Sequence, residues 1–538
     1  MESFAADLAT MVRTPLDKSH VALMRRAGRE VDFAAGEMVQ EPGQPTDLFH
    51  YVLAGEVEAV DPRTMERMGN ATLGPEQFFG DLQFLSGGVS LAGARAVVDS
   101  QLLCVPRDAM LRLMSDVPEM SDIIVTVLAA RRQRALRESD GALTLIGPEI
   151  SRDIRQVAGF AARNRIPYRE IAADSDEARA LAAQCGIDRA HPGVIFGKER
   201  KIDPPTPRAV AEALGLDLKL GDAGTFDVLI VGGGPAGVAA AVYAGAEGLS
   251  ALVLEDLAIG GQAGTSSRIE NYMGFPTGIS GGDLVGRGEV QAMKFGTRFS
   301  VPRRVEALRQ CAEKYFHVTL DDGQDVTAKA LVVATGVQYR RMPLDGLEQL
   351  ENAGVYYAAT ETEARWCRDS EVAVIGGGNS AGQAAMFLAR TTRHVHVLVR
   401  GTGLASSMSD YLLQRLETHP RITIHTRTEV TKLHGEARLE CVTIRDRASG
   451  QDWDLPTSSL FVMVGAAPNT DWLSGLITLD AQGFVCTGAA CGGRSQYETS
   501  CHGVFAVGDV RAGSVKRVAS AVGEGSVVMS SVWSHVNG

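Results

Sequence analysis

One design occurs twice in this chain, and it restricts the fold more than any other feature. FDVLIVGGGPAGVAAAVYAGAEGLSALVLE, from Phe226, reads as strand, glycine-rich turn, helix and second strand. VAVIGGGNSAGQAAMFLARTTRHVHVLVRG, from Val372, repeats it, and Gly376 follows Gly232 by 376 − 232 = 144 residues. Near-continuous apolar strands alternating with helices belong to parallel sheets covered on both faces. The chain is therefore expected to be a multidomain α/β protein with two Rossmann-like units.

The residues of each unit specify a ligand class. In the first, Gly232, Gly234 and Gly237 form GxGxxG directly after a strand. The first glycine permits the tight turn, the second lets the backbone approach a pyrophosphate, and the third allows close helix–strand packing. The helix N-terminus adds free N–H groups and a positive dipole end. Glu255 ends the second strand, where a carboxylate can hold ribose hydroxyls. In the second unit, Gly376 and Gly378 are followed by Asn379, Ser380 and Ala381, and alanine is an accepted third member of the fingerprint. Its second strand ends in Arg400 instead of an acid, which suits the 2′-phosphate of NADPH better than the bare ribose of NADH. Two dinucleotide units in one chain imply a flavoprotein, with FAD in one site and the pyridine nucleotide that reduces it in the other.

Composition removes other classes. The net charge of −12 over 538 residues argues against a nucleic-acid or anionic-membrane binder. With 45% hydrophobic and 22% charged residues, the chain is an ordinary globular protein. Its eight cysteines are scattered and none forms a CxxC, which excludes a disulfide framework. No signal peptide and no long apolar run are read, so a cytoplasmic location is expected.

Ahead of the first unit lie two further blocks. Residues 20–118 hold short alternating strands broken by Gly and Pro, as expected for a small β-barrel or sandwich. A helix is expected over 119–140. Residues 142–218 alternate helix and strand in a compact α/β unit, and GDAGT at 221–225 reads as a linker.

Residues 225–538, 314 of 538, resemble low-molecular-weight thioredoxin reductases. The likeness rests on GGGPAG, IGGQAGTSSRIENYMGFP, VVATG at 332–336, IGGGNSAGQAA and GVFAVGDVRAGSVKRVASAVGEG. It implies that Gly260, Gly261, Gln262, Asn271 and Thr335 lie along FAD and that Gly508 and Asp509 hold its ribityl chain. By the same resemblance Arg517, Val518 and Ala519 are expected near the flavin ring, with Val518 replacing the family's Gln. It also implies a homodimer, with a nucleotide domain (339–466) inserted into an FAD domain (225–338 and 467–538).

One departure bears on function. The family carries a redox-active CxxC just before the second nucleotide strand, but here the segment reads GVYYAATETEA, placing Ala358 and Glu361 at the cysteine positions. Neither can exchange thiols. The chain is therefore read as an oxidoreductase whose electron acceptor is unidentified, with no catalytic acid, base, nucleophile or metal ligand assigned. A redox sensor or scaffold is one alternative; a disulfide reductase using the distant pair Cys486 and Cys491 is another. Cys367 is read as a structural thiol.

The N-terminal blocks carry their own resemblances. Residues 20–120 are similar to cyclic-nucleotide-binding domains through Phe33, Gly36, Gly43, Leu48, Phe49, Val52, Gly55 and Val57 and the FFGDL segment at 78–82. That family's phosphate-binding Arg aligns with Ser90, so a cyclic-nucleotide ligand is doubtful; Arg95 aligns with the next strand. Residues 142–218 resemble a thioredoxin-like fold, with His191-Pro192 at its cis-proline position and PEISRD, without cysteine, at the position of its CxxC. These give the bounds 1–140 and 141–220.

Overall fold

The computed structural model describes all 538 residues except 1–14, 62–63, 81–82, 91, 139–142, 148–150, 188–192, 197–199, 218–219, 221–223, 267, 311–314, 340–341, 352, 358, 360, 405–407 and 474. Asp81, Leu91, Ala358 and the His191-Pro192 pair thus lie outside the described residues.

The strand Thr225–Val231 shows why an unbroken apolar run forms here. Val228 and Ile230 enter one hydrophobic cluster, and Leu229 and Val231 enter another on the opposite face. This strand sits inside a seven-stranded sheet, paired in parallel with Ala251–Leu254 and Asp325–Val333. Val504–Ala506, far along the chain, also joins Asp325–Val333 in parallel. The second unit builds a five-stranded sheet, its strands Glu371–Ile375, His394–Val399 and Ile422–Thr426 running parallel. A three-stranded antiparallel sheet follows it, from Thr428–His434 to Asp452–Pro456.

The two units are joined by a two-stranded ribbon, Val337–Tyr339 against Ala466–Pro468. Both chain crossings between them run through this ribbon.

The first block contains two four-stranded antiparallel sheets. A helix over Pro118–Glu138 follows them. Its core, with Met24, Phe49, Met110, Met114, Met120 and Ile124, is continuous with the core of the first Gly-rich unit. The junction lies against the helix Gly281–Lys294, where Lys294 Nζ meets Asp122 at 2.8 Å.

The block beyond residue 142 forms strand Leu143–Gly147, helix Arg152–Arg163, strand Tyr168–Ala172, helix Asp176–Cys185, strands Gly193–Phe196 and Arg200–Ile202, and helix Pro207–Ala213. Tyr168–Ala172 pairs in parallel with Leu143–Gly147, and Gly193–Phe196 pairs antiparallel on its other edge. Local chemistry fixes the helix ends. Ser175 and Thr206 cap their helices through side-chain oxygens, Pro207 fills the first turn, and Gly186 ends a helix at φ 63°.

Candidate dinucleotide sites

Four segments distant in sequence converge at the C-terminal edge of the seven-stranded sheet, the end where open α/β sheets bind ligands. The turn at Gly232–Gly237 is the centre. Gly232 has φ 109°, and a Cβ on it would lie 2.3 Å from the Ala334 carbonyl oxygen; one on Gly237 would lie 1.8 Å from that of Gly232. The VVATG segment and the helix start are therefore pressed on the turn with no room for a side chain. Gly260 N–H donates to the Gly233 carbonyl at 2.8 Å, and a Cβ on Gly261 would reach 3.1 Å from Gly234 Cα. Gly508 approaches from the opposite side, and its Cβ would meet Ala236 Cβ at 2.9 Å. A backbone cradle of this kind, at the N-terminus of the helix Pro235–Ala246, fits a pyrophosphate.

Glu255 stands beside that cradle. Its carboxylate accepts from the backbone N–H of Gly233 at 2.7 Å and of Leu257 at 3.0 Å. Burial pushes it up to about 7, helped by the neighbouring Asp256 and opposed by those N–H groups. A carboxylate held among donors can accept ribose hydroxyls in the same place.

Gly508 N–H donates to buried Glu524 at 2.7 Å, and Arg511 closes the ion pair at 2.6 Å. This network ties the GD segment to the helix Val518–Asn537. Burial raises Asp509, against Lys516. Gln262 donates through its amide to the Val337 carbonyl. Thr335 Oγ1 donates to the Asn469 carbonyl at 3.0 Å. Both bonds sit at the root of the two-stranded ribbon. Asn271, Arg517 and Ala519 are exposed, the first on the loop closed by the Ile269–Ile279 bridge and the others at the start of the C-terminal helix. Among the described residues, no hydrogen bond links these three to the cradle.

The second unit repeats the first. Gly376 has φ 145°, and a Cβ there would sit 2.3 Å from the Met463 carbonyl. Gly378 precedes the helix Asn379–Leu388, in whose first turn Ser380 lies. Asn379 Oδ1 accepts from Ser409 N–H at 2.9 Å, so its side chain anchors the loop across the cleft. Arg400 is exposed just beyond its strand. Two arginines that sequence reading did not single out meet it there. Arg427 N–H donates to the Gly401 carbonyl at 2.8 Å, and Arg447 reaches the Arg400 carbonyl at 3.5 Å while pairing with Glu429 at 3.4 Å. They lie 27 and 47 positions on, so no local motif announces them; strand adjacency brings them in.

The segment before this unit holds the helix Glu361–Trp366. Cys367, directly after it, is fully buried, with its thiol on the Glu363 carbonyl at 3.0 Å and Ser459 Oγ at 3.1 Å. Burial pushes the thiol up to about 11, so it holds almost no thiolate near neutral pH. Cys486 and Cys491 are free thiols, and Cys491 Sγ bonds the Gly488 carbonyl at 3.2 Å.

In the first block, Ser90 Oγ donates to the Ala92 carbonyl at 2.6 Å. Arg95 is engaged by Glu58 at 2.8 Å and by the Met65 carbonyl at 3.2 Å. Arg107 and Arg131 bond backbone carbonyls around the FFGDL segment: Phe84 at 2.7 Å and Phe78 at 2.7 Å.

Comparison with known proteins agrees with this geometry. Residues 30–117 match the cyclic nucleotide-binding domain. A thioredoxin reductase of Mycolicibacterium smegmatis is 33% identical over 299 residues, 56% of this chain and 93% of that one. A thioredoxin reductase of Treponema pallidum is 31% identical over 312 residues, 58% of this chain and 97% of that one. The thioredoxin reductase of Lactococcus lactis, solved in an FR conformation, superposes with TM-score 0.53 at 27% identity, covering 58% of this chain and 99% of that one. No helix among the described residues is long and apolar enough to cross a membrane. Residues 226–525 match the pyridine nucleotide-disulphide oxidoreductase family, and the chain belongs to it as an FAD- and NADPH-using enzyme of the thioredoxin-reductase fold.

Proposed function

We propose that this enzyme passes electrons from its flavin straight to an acceptor, without a CxxC relay, and that thioredoxin disulfide is not that acceptor. The observation that carries this reading is the segment 354–367. Its relay positions are Ala358 and Glu361, and its one thiol, Cys367, is sealed and protonated. When bound, FAD supplies the redox chemistry, taking a hydride from the nicotinamide and releasing electrons to the acceptor.

The chain's own residues bind and orient. The backbone around Gly232, Gly234, Gly237 and Gly261 receives the pyrophosphate, Glu255 the adenosine ribose, and Gly508 with Asp509 the ribityl chain. Gln262, Asn271, Thr335, Arg517 and Ala519 complete that site. Gly376, Gly378, Asn379 and Ser380 receive the NADPH pyrophosphate, and Arg400 its 2′-phosphate, with Arg427 and Arg447 beside it.

The proposed domains are 1–140, 141–220, 225–338 with 467–538, and 339–466. The second is a thioredoxin-like unit without its cysteines, a reading supported by its strand and helix order. With the first it forms a regulatory or docking half. Ser90 at the phosphate-binding position and the Arg95–Glu58 pair weigh against cyclic AMP or GMP as its ligand. A homodimer fits the exposed Tyr243, Val527 and Trp533 on two packed helices.

The test is an anaerobic titration of the purified protein with NADPH, followed at the flavin band near ~450 nm, then reoxidation by thioredoxin disulfide, oxygen or a quinone. Bleaching with no reoxidation by thioredoxin disulfide is expected. Multiple-turnover reduction of that disulfide would overturn the reading. A flavin band that NADPH leaves intact would favour a redox sensor instead.

A further inference from the structure

The unit at 143–217 touches three neighbours with two kinds of contact. Towards the flavin-binding half the contacts include an apolar core and a fully buried ion pair. Val301 enters the unit's own core beside Leu143, Val194 and Leu214. Asp217 and Arg303, with side chains 1% and 4% exposed, form an ion pair across the junction. Arg165 pairs with Glu289 at 3.1 Å, and its guanidinium lies where a Cβ on Gly286 would stand. Asn164 donates to the Leu257 carbonyl at 3.1 Å. Towards the first block, Val89 packs on the same core and its N–H donates to the Leu214 carbonyl at 3.3 Å.

Towards the nucleotide-binding half the contacts change character. Arg155 lies over the Trp366 ring at 5.2 Å and reaches Tyr356 Oη at 3.4 Å. Arg163 meets Glu363 at 3.5 Å, and Arg365 reaches Tyr168 Oη at 3.4 Å. The unit's apolar clusters take in no residue of 339–466. So the helix Arg152–Arg163 rests on the helix Glu361–Trp366 through guanidinium, carboxylate and aromatic groups. Arg155 and Arg163 are half-buried against buried Tyr356 and Glu363, and with no apolar core behind them these contacts are weaker than the buried face and are loosened by high salt.

The chain passes between the flavin and nucleotide halves through the two-stranded ribbon, whose root is tied within the flavin half by the Gln262–Val337 and Thr335–Asn469 bonds. A body hung on one ribbon can turn about it. We propose that the 143–217 unit is a clamp. It is fixed to the flavin half by its buried face and holds the nucleotide half in one orientation by its polar face, the face that opens when the nucleotide half turns. The clamped helix begins at Glu361, one of the two positions where the relay cysteines of the resembled family would align. This inference rests on the reading of 339–466 as the NADPH-binding half.

The test uses the full-length holoenzyme with spin labels on genetically encoded residues at exposed Ala180 and Glu417. Wild type at ~0.1 M salt should give one narrow distance distribution. The Arg155→Ala/Arg163→Ala variant should give a broad one, as should wild type at ~1 M salt, where charges are screened within about 3 Å. The rate of flavin reduction by NADPH should differ at least threefold between the two proteins, with equal FAD content. Narrow distributions in both the variant and high salt would overturn the clamp. Broad distributions with no bleaching by NADPH in either protein would leave the clamp standing and remove the functional reading.

Discussion

Replacing Gly508 by alanine separates two demands placed on that glycine. Its φ of 76° costs an L-residue roughly 1–2 kcal/mol. Its new Cβ would also stand 2.9 Å from Ala236 Cβ, where carbon atoms prefer about 3.5–4.0 Å. Relieving that overlap moves the GD segment off the helix that starts the pyrophosphate cradle and costs about 1–3 kcal/mol more. Gly513, five residues on, supplies the control. Its φ is 70°, and nothing lies within 4 Å of where its Cβ would be. Gly513→Ala should therefore show the backbone cost alone. FAD dissociation should accelerate about 5- to 150-fold in Gly508→Ala relative to Gly513→Ala, the steric difference converted at about 1.4 kcal/mol per decade. The assay is recovery of flavin fluorescence on dilution, with the urea midpoint of each apoprotein measured alongside. Equal FAD retention in the two variants would refute the claim that close approach of the GD segment shapes the site.

Other consequences follow from single groups. Arg400→Ala should raise KM for NADPH by about 10-fold or more, the worth of a charge-assisted contact of about 1.5–3 kcal/mol, and leave KM for NADH unchanged; equal effects on both cofactors would remove the 2′-phosphate assignment. Cys486→Ser/Cys491→Ser and Cys367→Ala should leave NADPH oxidation intact, and Cys367 should resist alkylation in the folded protein at pH 8. Loss of turnover in the double serine variant would restore a distant-disulfide mechanism. His50, stacked on Phe79 at 4.7 Å, is held down to about 4 by burial. Between its unfolded value near 6.5 and about 4 the unfolded chain binds the extra proton, so this stabilising contribution is complete above pH 6.5 and lost as pH falls towards 4. The loss approaches ~3 kcal/mol, and His50→Leu should flatten the slope of urea stability against pH by that amount; an unchanged slope would contradict it.

How much of this was legible beforehand depended on whether a residue's role was set by its neighbours in sequence or in space. The glycine turns were legible because a backbone that must pass within 2.3 Å of a Cβ position at Gly232 and Gly376 leaves only one residue type, and the pattern repeats with the same strand–helix period. The missing pair at 358 and 361 was legible as an absence of cysteine there, but not the burial of Cys367, since its bond to Ser459 needs a residue 92 positions away. Arg427 and Arg447 were invisible for the same reason. Arg447 reaches the Arg400 carbonyl, and the Arg427 N–H the Gly401 carbonyl, only because one strand end lies beside another.

The N-terminal half makes the point from the opposite side. Its separate blocks were readable from alternation and turns, and each lacked the residue its resemblance would use for chemistry. Loss of chemistry does not mean loss of consequence when a unit buries Asp217 against Arg303 on one side and lays Arg155 on Trp366 on the other. A buried ion pair broken on one side costs several kcal/mol, whereas a half-buried arginine over an aromatic ring costs about 0.5–2 kcal/mol. The asymmetry sets an order of events: whatever force turns the nucleotide half, the Arg155 and Arg163 contacts yield before the Asp217–Arg303 junction does. The first block touches the same unit through Val89 and Leu214, next to Ser90. A ligand of that block would therefore have two routes to the flavin, the core it shares with Ala236 and Val238 beside the cradle and the unit's grip on the nucleotide half; a changed rate of flavin reduction with FAD affinity unaltered would single out the second.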